Sequence, residues 1–483
     1  MGREGTGAVG REGAGNAWQR GTGARRVDGR SARRAGAAGA LVVAGLLVAA
    51  SVGGCSGAGA DGAGTGSGRT PRTSAAGTGA SAGAAARTGV AAAPLTLPAP
   101  TGRYPVGTVS LHLVDHRRQD PWVGGRGRAV PRELMVSVRY PAGAGAGRYP
   151  RAPQLTAREA AGFDGLNNFS PPVPRGKVAW AATRTYAHEG APVAGDRQAG
   201  RRLPVVLYSP GAGDPRSFGS TLCDELASRG YAVVTIDHPY EAPAVEFPGG
   251  RVARSVMPPE MVKAQKAGRM TQLLKKVSGV RVADTRFVLD ELDKRGAASP
   301  LPRGLRGVLD TGAVGMFGQS AGGFTAAQTM HDDRRIRAAA NLDGVMGYTQ
   351  RDDDPSNPST VGRDGVDRPL LLMGMAGDDH HTVASWGAVW RHSKGAWMRD
   401  LTLRGGRHAG FTDGQTLIPQ VARQVGLPRK DVEKLLGTVD PARSVAAQRA
   451  YVTAFFDRWL RGRADGGLLD GPSSRYPEVK FVR

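Results

Sequence analysis

The sequence predicts an α/β fold, a mostly parallel central sheet with helices on both faces. Three observations carry this expectation. Short apolar runs recur between segments of helical spacing. Several of the runs are apolar without interruption, as strands covered on both sides must be. One of them, Ala313-Val314-Gly315-Met316-Phe317, feeds directly into Gly318-Gln319-Ser320-Ala321-Gly322-Gly323, a Gly-x-Ser-x-Gly turn from strand to helix.

Taken in order, residues 109–114 and 134–140 alternate apolar and polar side chains and predict an antiparallel strand pair at the start of the sheet. Residues 203–208 and 231–236 are continuous apolar runs, hence covered strands, and between them 218–228 suits a helix that ends at Gly230, a C-terminal cap position. Residues 282–292 predict a second helix, with Val282, Phe287, Val288 and Leu292 near one stripe. Strands follow at 313–317, 336–342, 370–375 and 398–403, and a helix at 383–392. A closing helix over 445–460 turns Val452, Phe455, Phe456 and Trp459 to one face. The Pro- and Gly-rich stretches 142–200 and 241–266 read as loops draped over the sheet, the second as a partial lid. Neither an internal repeat nor a second catalytic domain is visible.

The first hundred residues divide differently. Residues 1–36 contain almost no large apolar side chain and cannot build a core. Arg25, Arg26, Arg30, Arg33 and Arg34 precede an apolar run over 37–50, then Val52-Gly53-Gly54-Cys55. Basic, apolar and small residues in that order predict an export signal over 1–55, with an apolar run too short to span a bilayer comfortably. Cys55 follows the small residues as in a lipobox, so its thiol is expected to be acylated and to anchor the protein to a bacterial membrane. An ordinary cleaved signal is the alternative, and Arg33-Arg34 offers a twin-arginine route. Residues 56–102, made of Ala, Gly, Ser, Thr and Pro, read as a disordered tether, and 103–483 as the catalytic domain.

With Cys55 acylated, Cys223 is the one remaining thiol, so no intramolecular disulfide is available and core packing must hold the fold. The net charge of +23 draws the protein toward anionic lipid or wall polymers. Its arginines are scattered without a recognition motif or interleaved aromatic residues, which argues against a nucleic-acid partner.

Ser320 is the candidate nucleophile. A serine hydroxyl attacks only with a histidine base, and the imidazole needs a carboxylate to fix its tautomer and stabilise its charged form. In α/β-hydrolases these follow in the order Ser, Asp or Glu, His. Of nine histidines, His380, His381, His392 and His408 lie far enough beyond Ser320. His408 falls in a loop directly after a strand, whereas His392 sits at a helix end. His380-His381 adjoin Asp378-Asp379, but consecutive ligands on one short loop seldom converge on a metal, so no metal and no organic cofactor is expected. Asp343 and Asp378 both follow strands, and sheet logic alone leaves the acid open between them. One oxyanion donor is expected from the N–H of Ala321.

Four stretches resemble the platelet-activating-factor acetylhydrolase family of α/β-hydrolases: Pro204-Val205-Val206-Leu207-Tyr208-Ser209-Pro210-Gly211-Ala212-Gly213; the helix with Asp284, Phe287, Val288 and Leu289; Asn341-Leu342-Asp343-Gly344; and His408-Ala409-Gly410-Phe411-Thr412-Asp413. The resemblance implies the α/β-hydrolase fold from about Tyr104 onward, Asp343 rather than Asp378 as the acid, and Ala212 as the second oxyanion donor. It also implies short- to medium-chain acyl esters, phospholipids among them, as substrates. Gln319 departs from the family, in which histidine is common at this position. The expected function is therefore an exported serine esterase working through an acyl-enzyme. Cutinase-like polyester hydrolysis, peptide hydrolysis and a non-catalytic binding lipoprotein are the alternatives.

Overall fold

Residues 203–209, 232–236, 309–319, 336–342, 370–374 and 398–403 have few polar side chains to offer solvent, and they lie side by side in the middle of one sheet. The computed structural model describes residues 93–124, 129–167, 169–195, 202–348 and 357–483. Its strands are β1 (Val106–Gln119), β2 (Pro131–Pro141), β3 (Arg151–Pro153), β4 (Arg184–Glu189), β5 (Leu203–Ser209), β6 (Ala232–Ile236), β7 (Ala244–Glu246), β8 (Val252–Arg254), β9 (Leu309–Gln319), β10 (Ile336–Leu342), β11 (Leu370–Gly374), β12 (Met398–Leu403) and β13 (Val479–Phe481). The helices are α1 (Ala157–Leu166), α2 (Ser220–Ser228), α3 (Met257–Lys266), α4 (Met270–Asp293), α5 (Ala321–Asp332), α6 (Thr360–Asp364), α7 (Ala384–His392), α8 (Gly414–Val425), α9 (Arg429–Leu436) and α10 (Pro441–Arg461).

Eleven strands form the main sheet in the order β13-β12-β11-β10-β9-β5-β6-β2-β1-β4-β3. The run from β12 to β6 is parallel, while β2 joins β6 and β1 antiparallel, and β13 closes the other edge antiparallel to β12. Alternation along β5 splits the core. Val205 and Leu207 face the layer of α4, α5 and α7 with Val288, Met330 and Trp386. Val206 and Tyr208 face α2 and α10 with Leu226, Tyr451, Phe455 and Phe456. Full burial of Phe455 and Phe456 contributes about 1.5–3 kcal/mol each. With helices on both faces of a mostly parallel sheet, the fold is the expected α/β-hydrolase architecture.

Several sequence expectations need correction. Residues 95–102, expected in the tether, are packed. Leu95 and Leu97 are buried with Phe163, Trp180 and Leu417, and Thr101 donates its N–H and its hydroxyl to Glu225. Their Ala/Pro/Thr composition hides two leucines that find an apolar surface built by distant segments. The stretches 142–200 and 241–266 are not plain loops. The first contains α1, β3 and β4. The second contains the β7–β8 hairpin and α3, which brings Met257 and Met261 into the wall of the central cavity. The helix expected over 282–292 begins at Met270, and the closing helix begins at Pro441, where Asp440 caps it by accepting the N–H of Arg443. Cys55 and the remainder of the proposed signal lie outside the described residues.

Candidate active site

Ser320 stands between β9 and α5 with φ +55° and ψ −124°, a conformation rare for a side-chain-bearing residue and costing about 1–3 kcal/mol. Close packing enforces it. A Cβ on Gly318 would collide with the backbone of Gly322 and with the Ser209 carbonyl, and one on Gly322 would collide with the same carbonyl. The two glycines thus let α5 press against the end of β5, and the Ser320 N–H is tied to the Leu342 carbonyl at 2.9 Å. Ala321 is the first residue of α5, where an N–H has no partner within its own helix.

Asp343 follows β10 in a second left-handed turn, φ +58°. Asn341 clamps this turn from both sides: its Oδ1 accepts the Gly344 N–H at 2.8 Å and its Nδ2 donates to the Gly344 carbonyl at 2.7 Å. The buried carboxylate of Asp343 accepts the Met375 N–H through Oδ1 at 2.7 Å and the Nδ1–H of His408 through Oδ2 at 2.6 Å. His408 is half-buried in a short turn after β12. That turn is anchored by Asp413, whose buried carboxylate accepts the N–H groups of Ser220 and Thr221 at the start of α2 and an N–H of Gln154. Of the two candidate acids, Asp343 holds the imidazole. Asp378 lies in the turn after β11 and adds a weaker electrostatic influence.

Burial pushes the His408 pKa down, but the hydrogen bond and charge of Asp343, with Asp214 and Asp378 behind them, leave it raised above 6.5. Asp214 itself is pushed up to about 6 by burial, against the pull of His408 and Arg281. The Nε2 of His408 faces the side-chain amide nitrogen of Gln319 at 3.0 Å, and the same amide group donates to the His408 carbonyl at 3.3 Å. That pairing assigns the lone pair of the imidazole to Nε2. Among the described residues Ser320 Oγ forms no hydrogen bond, so the serine-to-histidine contact expected of the triad is not made in this conformation. Such contacts commonly tighten only when substrate binds.

Ser320, Ala321, Ala212, Gln319 and His408 share the wall of one cavity of about 600 Å³. Its lining is predominantly apolar: Phe163, Phe169 and Phe218 on one side, Met257, Met261 and Leu273 on another, with Arg407 and Lys434 among the few charged groups. His380 is engaged by Asp400 at 2.7 Å and His381 by the Arg483 carbonyl at 2.8 Å, away from this wall. Among the described residues no group of three or more His, Cys, Asp or Glu side chains is placed to hold a metal ion.

Sequence reasoning does not reveal Asp214, the Gln319 contact or a buried polar layer behind the Ser209–Gly213 turn. There Ser209 meets His238 Nε2 at 3.0 Å, His238 meets Asp284 at 3.0 Å, and Arg132 bridges Asp284 and Asp120. This second serine–histidine–aspartate chain is sealed from the cavity, with Ser209 and Asp284 fully buried. Its one legible trace is the Arg281–Asp284 spacing, three apart on a helix and hence on one face.

Residues 170–249 match the family model for platelet-activating factor acetylhydrolase, isoform II. The chain is 32% identical over 288 residues to a probable 1-alkyl-2-acetylglycerophosphocholine esterase of Arthroderma benhamiae, covering 58% of this chain and 66% of that protein. It is 26% identical over 180 residues to a platelet-activating factor acetylhydrolase of Cavia porcellus, covering 35% of this chain and 40% of that protein. The chain thus spans less than two thirds of either relative. Among solved structures, the ferulic acid esterase from Streptomyces cinnamoneus superposes with a TM-score of 0.62 at 38% identity, over 81% of this chain and all of that one. The chain belongs to the platelet-activating-factor acetylhydrolase-like family of α/β-hydrolases.

Proposed function

We propose that the protein is a serine-dependent carboxylic ester hydrolase acting through an acyl-enzyme. The observation that carries this reading is the joint placement of a strained serine, a carboxylate-bound imidazole and two backbone donors at one apolar cavity. His408 Nε2, turning from Gln319 to Ser320, takes the hydroxyl proton as Oγ attacks the acyl carbon. The developing oxyanion is held by the N–H groups of Ala321 and Ala212. His408 then protonates the departing alkoxide oxygen, leaving the acyl group on Ser320, and a water activated by the same imidazole releases the acid. Asp343 keeps Nδ1 protonated throughout and stabilises the imidazolium. No step calls for a metal or an organic cofactor.

The apolar lining and the acetyl-ester names of the relatives favour short- to medium-chain acyl esters, acetylated phospholipids among them. A second reading, esters of aromatic acids, rests on the phenylalanines at 163, 169 and 218 and on the ferulic acid esterase likeness. Export and lipid attachment through Cys55 are proposed on the order of basic, apolar and small residues before it, with an outward-facing membrane surface as the site of action. Among the described residues no helix is long and apolar enough to cross a membrane.

The test is turnover of a graded series of p-nitrophenyl acyl esters, an acetylated glycerophosphocholine and methyl ferulate, with intact-mass analysis of quenched enzyme. Turnover of one ester class and an acyl adduct on Ser320 are expected. Folded protein that turns over none of them would overturn the reading.

A further inference from the structure

We propose that Arg281, held by Glu241, is the positioning residue of the oxyanion hole. It borders the cavity together with Glu241 and acts through the Gly211–Ala212 peptide, which it orients and polarises. The proposal rests on the serine-esterase reading and concerns how one of its two donors is made.

Arg281 lies on α4, three residues before Asp284, with 2% of its surface exposed. Its guanidinium is fixed on one side by Glu241, which accepts from Nε at 2.9 Å through each carboxylate oxygen and also from Nη2. The other edge points at the turn after β5. Nη1 donates to the Pro210 carbonyl at 2.7 Å and to Ser209 Oγ at 3.2 Å, and Nη2 donates to the Gly211 carbonyl at 3.1 Å. One planar cation therefore holds two successive carbonyls of the loop that contributes Ala212, which a lysine could not do in a fixed geometry.

The consequence follows from peptide planarity. In a trans peptide the C=O of Gly211 and the N–H of Ala212 point in opposite directions. With the carbonyl drawn toward Arg281, the N–H is turned away from it, toward the cavity wall that Ala212 and Ser320 share. Among the described residues no acceptor takes this N–H. A charged donor on the carbonyl also polarises the peptide and strengthens its N–H as a donor. A Cβ on the neighbouring Gly211 would meet the side-chain ends of Gln319 and Asp214, so these two pack closely against the other side of the turn. Glu241 cancels the charge of Arg281, and Ser209, tied to His238 and Asp284, anchors the start of the turn.

The experiment compares wild type with Arg281→Lys and with the double variant Arg281→Met/Glu241→Gln, which removes both buried charges together and leaves neither unpaired. Three quantities are read: kcat and KM for the best ester, inhibition by an acyl trifluoromethyl ketone that forms a tetrahedral adduct, and the pH dependence of kcat/KM. Both variants are expected to lose about 10²–10³ in kcat, the cost of one oxyanion donor, with KM within about threefold. Ketone affinity should fall in parallel and the His408 limb of the pH profile should stay in place. A merely structural role would move KM, the limb and thermal stability together. Wild-type kcat and ketone affinity in either folded variant would overturn the proposal, and Arg281→Lys, which keeps its ion pair, decides the matter alone if the double variant does not fold. Failure of the underlying reading shows itself separately, as a wild-type enzyme with no Ser320-dependent turnover.

Discussion

Asp343 Oδ2 lies 2.6 Å from Nδ1 of His408, while its second oxygen is occupied by the Met375 N–H at 2.7 Å. The carboxylate is thus held at both ends, one by the backbone of the next strand's exit and one by the imidazole it orients. An asparagine in its place could present either face of its amide and would no longer enforce the tautomer that leaves Nε2 free. Asp343→Asn is expected to lower kcat by about 10⁴, by analogy with serine-protease triads. Asp378→Asn, which leaves the Asp343–His408 hydrogen bond in place, should cost less than about tenfold. Steady-state kinetics on the two variants separates them, and the opposite ranking would reassign the acid.

The raised pKa of His408 sets the acid limb of the rate profile. Only the neutral imidazole accepts the serine proton, so kcat/KM should rise with pH and level off above a midpoint higher than 6.5. Asp343→Asn removes the main influence that raises this value and should move the midpoint down, measured on whatever activity survives. Asp214→Asn should move it in the same direction by less. A wild-type midpoint below 6.5 would contradict the electrostatic account.

Gln319 competes with Ser320 for the same imidazole nitrogen. A neutral hydrogen bond of this kind is worth about 0.5–1.5 kcal/mol, so Gln319→Ala should change kcat/KM by about tenfold at most. The protein would keep its fold because no charge is left unpaired. A loss of about 10³ or more on that substitution would make the glutamine part of the machinery rather than a resting partner of the base.

Arg132 is fully buried and pairs with Asp120 and Asp284, and Asp284 also anchors His238 behind the oxyanion turn. Arg132→Met should destabilise the protein by about 3–5 kcal/mol, because buried Asp120 loses its counter-charge and Asp284 is left with only the half-buried Arg118 and His238. Chemical denaturation followed by tryptophan fluorescence measures this. A change under about 1 kcal/mol would mean that solvent reaches the cluster.

What can be read from the chain follows from how each element is stabilised. β10 and β12 match their expected bounds because their burial is nearly complete and their residues leave no other reading. α8 carries an apolar stripe of Leu417, Ile418 and Val421, but Pro419 inside it reads in sequence as a helix breaker. α1 escapes it because its few large side chains sit among small ones and its start depends on a Thr156–Glu159 capping box inside a Pro- and Gly-rich stretch. At the site, Ser320 and His408 announce themselves by their local sequence. The choice between Asp343 and Asp378 depends on a turn clamped by Asn341, which no strand pattern encodes. Arg281 and Glu241 are 40 residues apart, one on α4 and the other in the segment after β6, and meet only in the folded chain.

The most direct test of the central claim is covalent labelling by a fluorophosphonate probe, with the modified residue located by mass spectrometry. The account predicts one label per wild-type molecule, carried by Ser320, and none on Ser320→Ala of unchanged melting temperature. Equal labelling of the two proteins, or a folded wild type that the probe leaves untouched at concentrations that saturate other serine esterases, would contradict it.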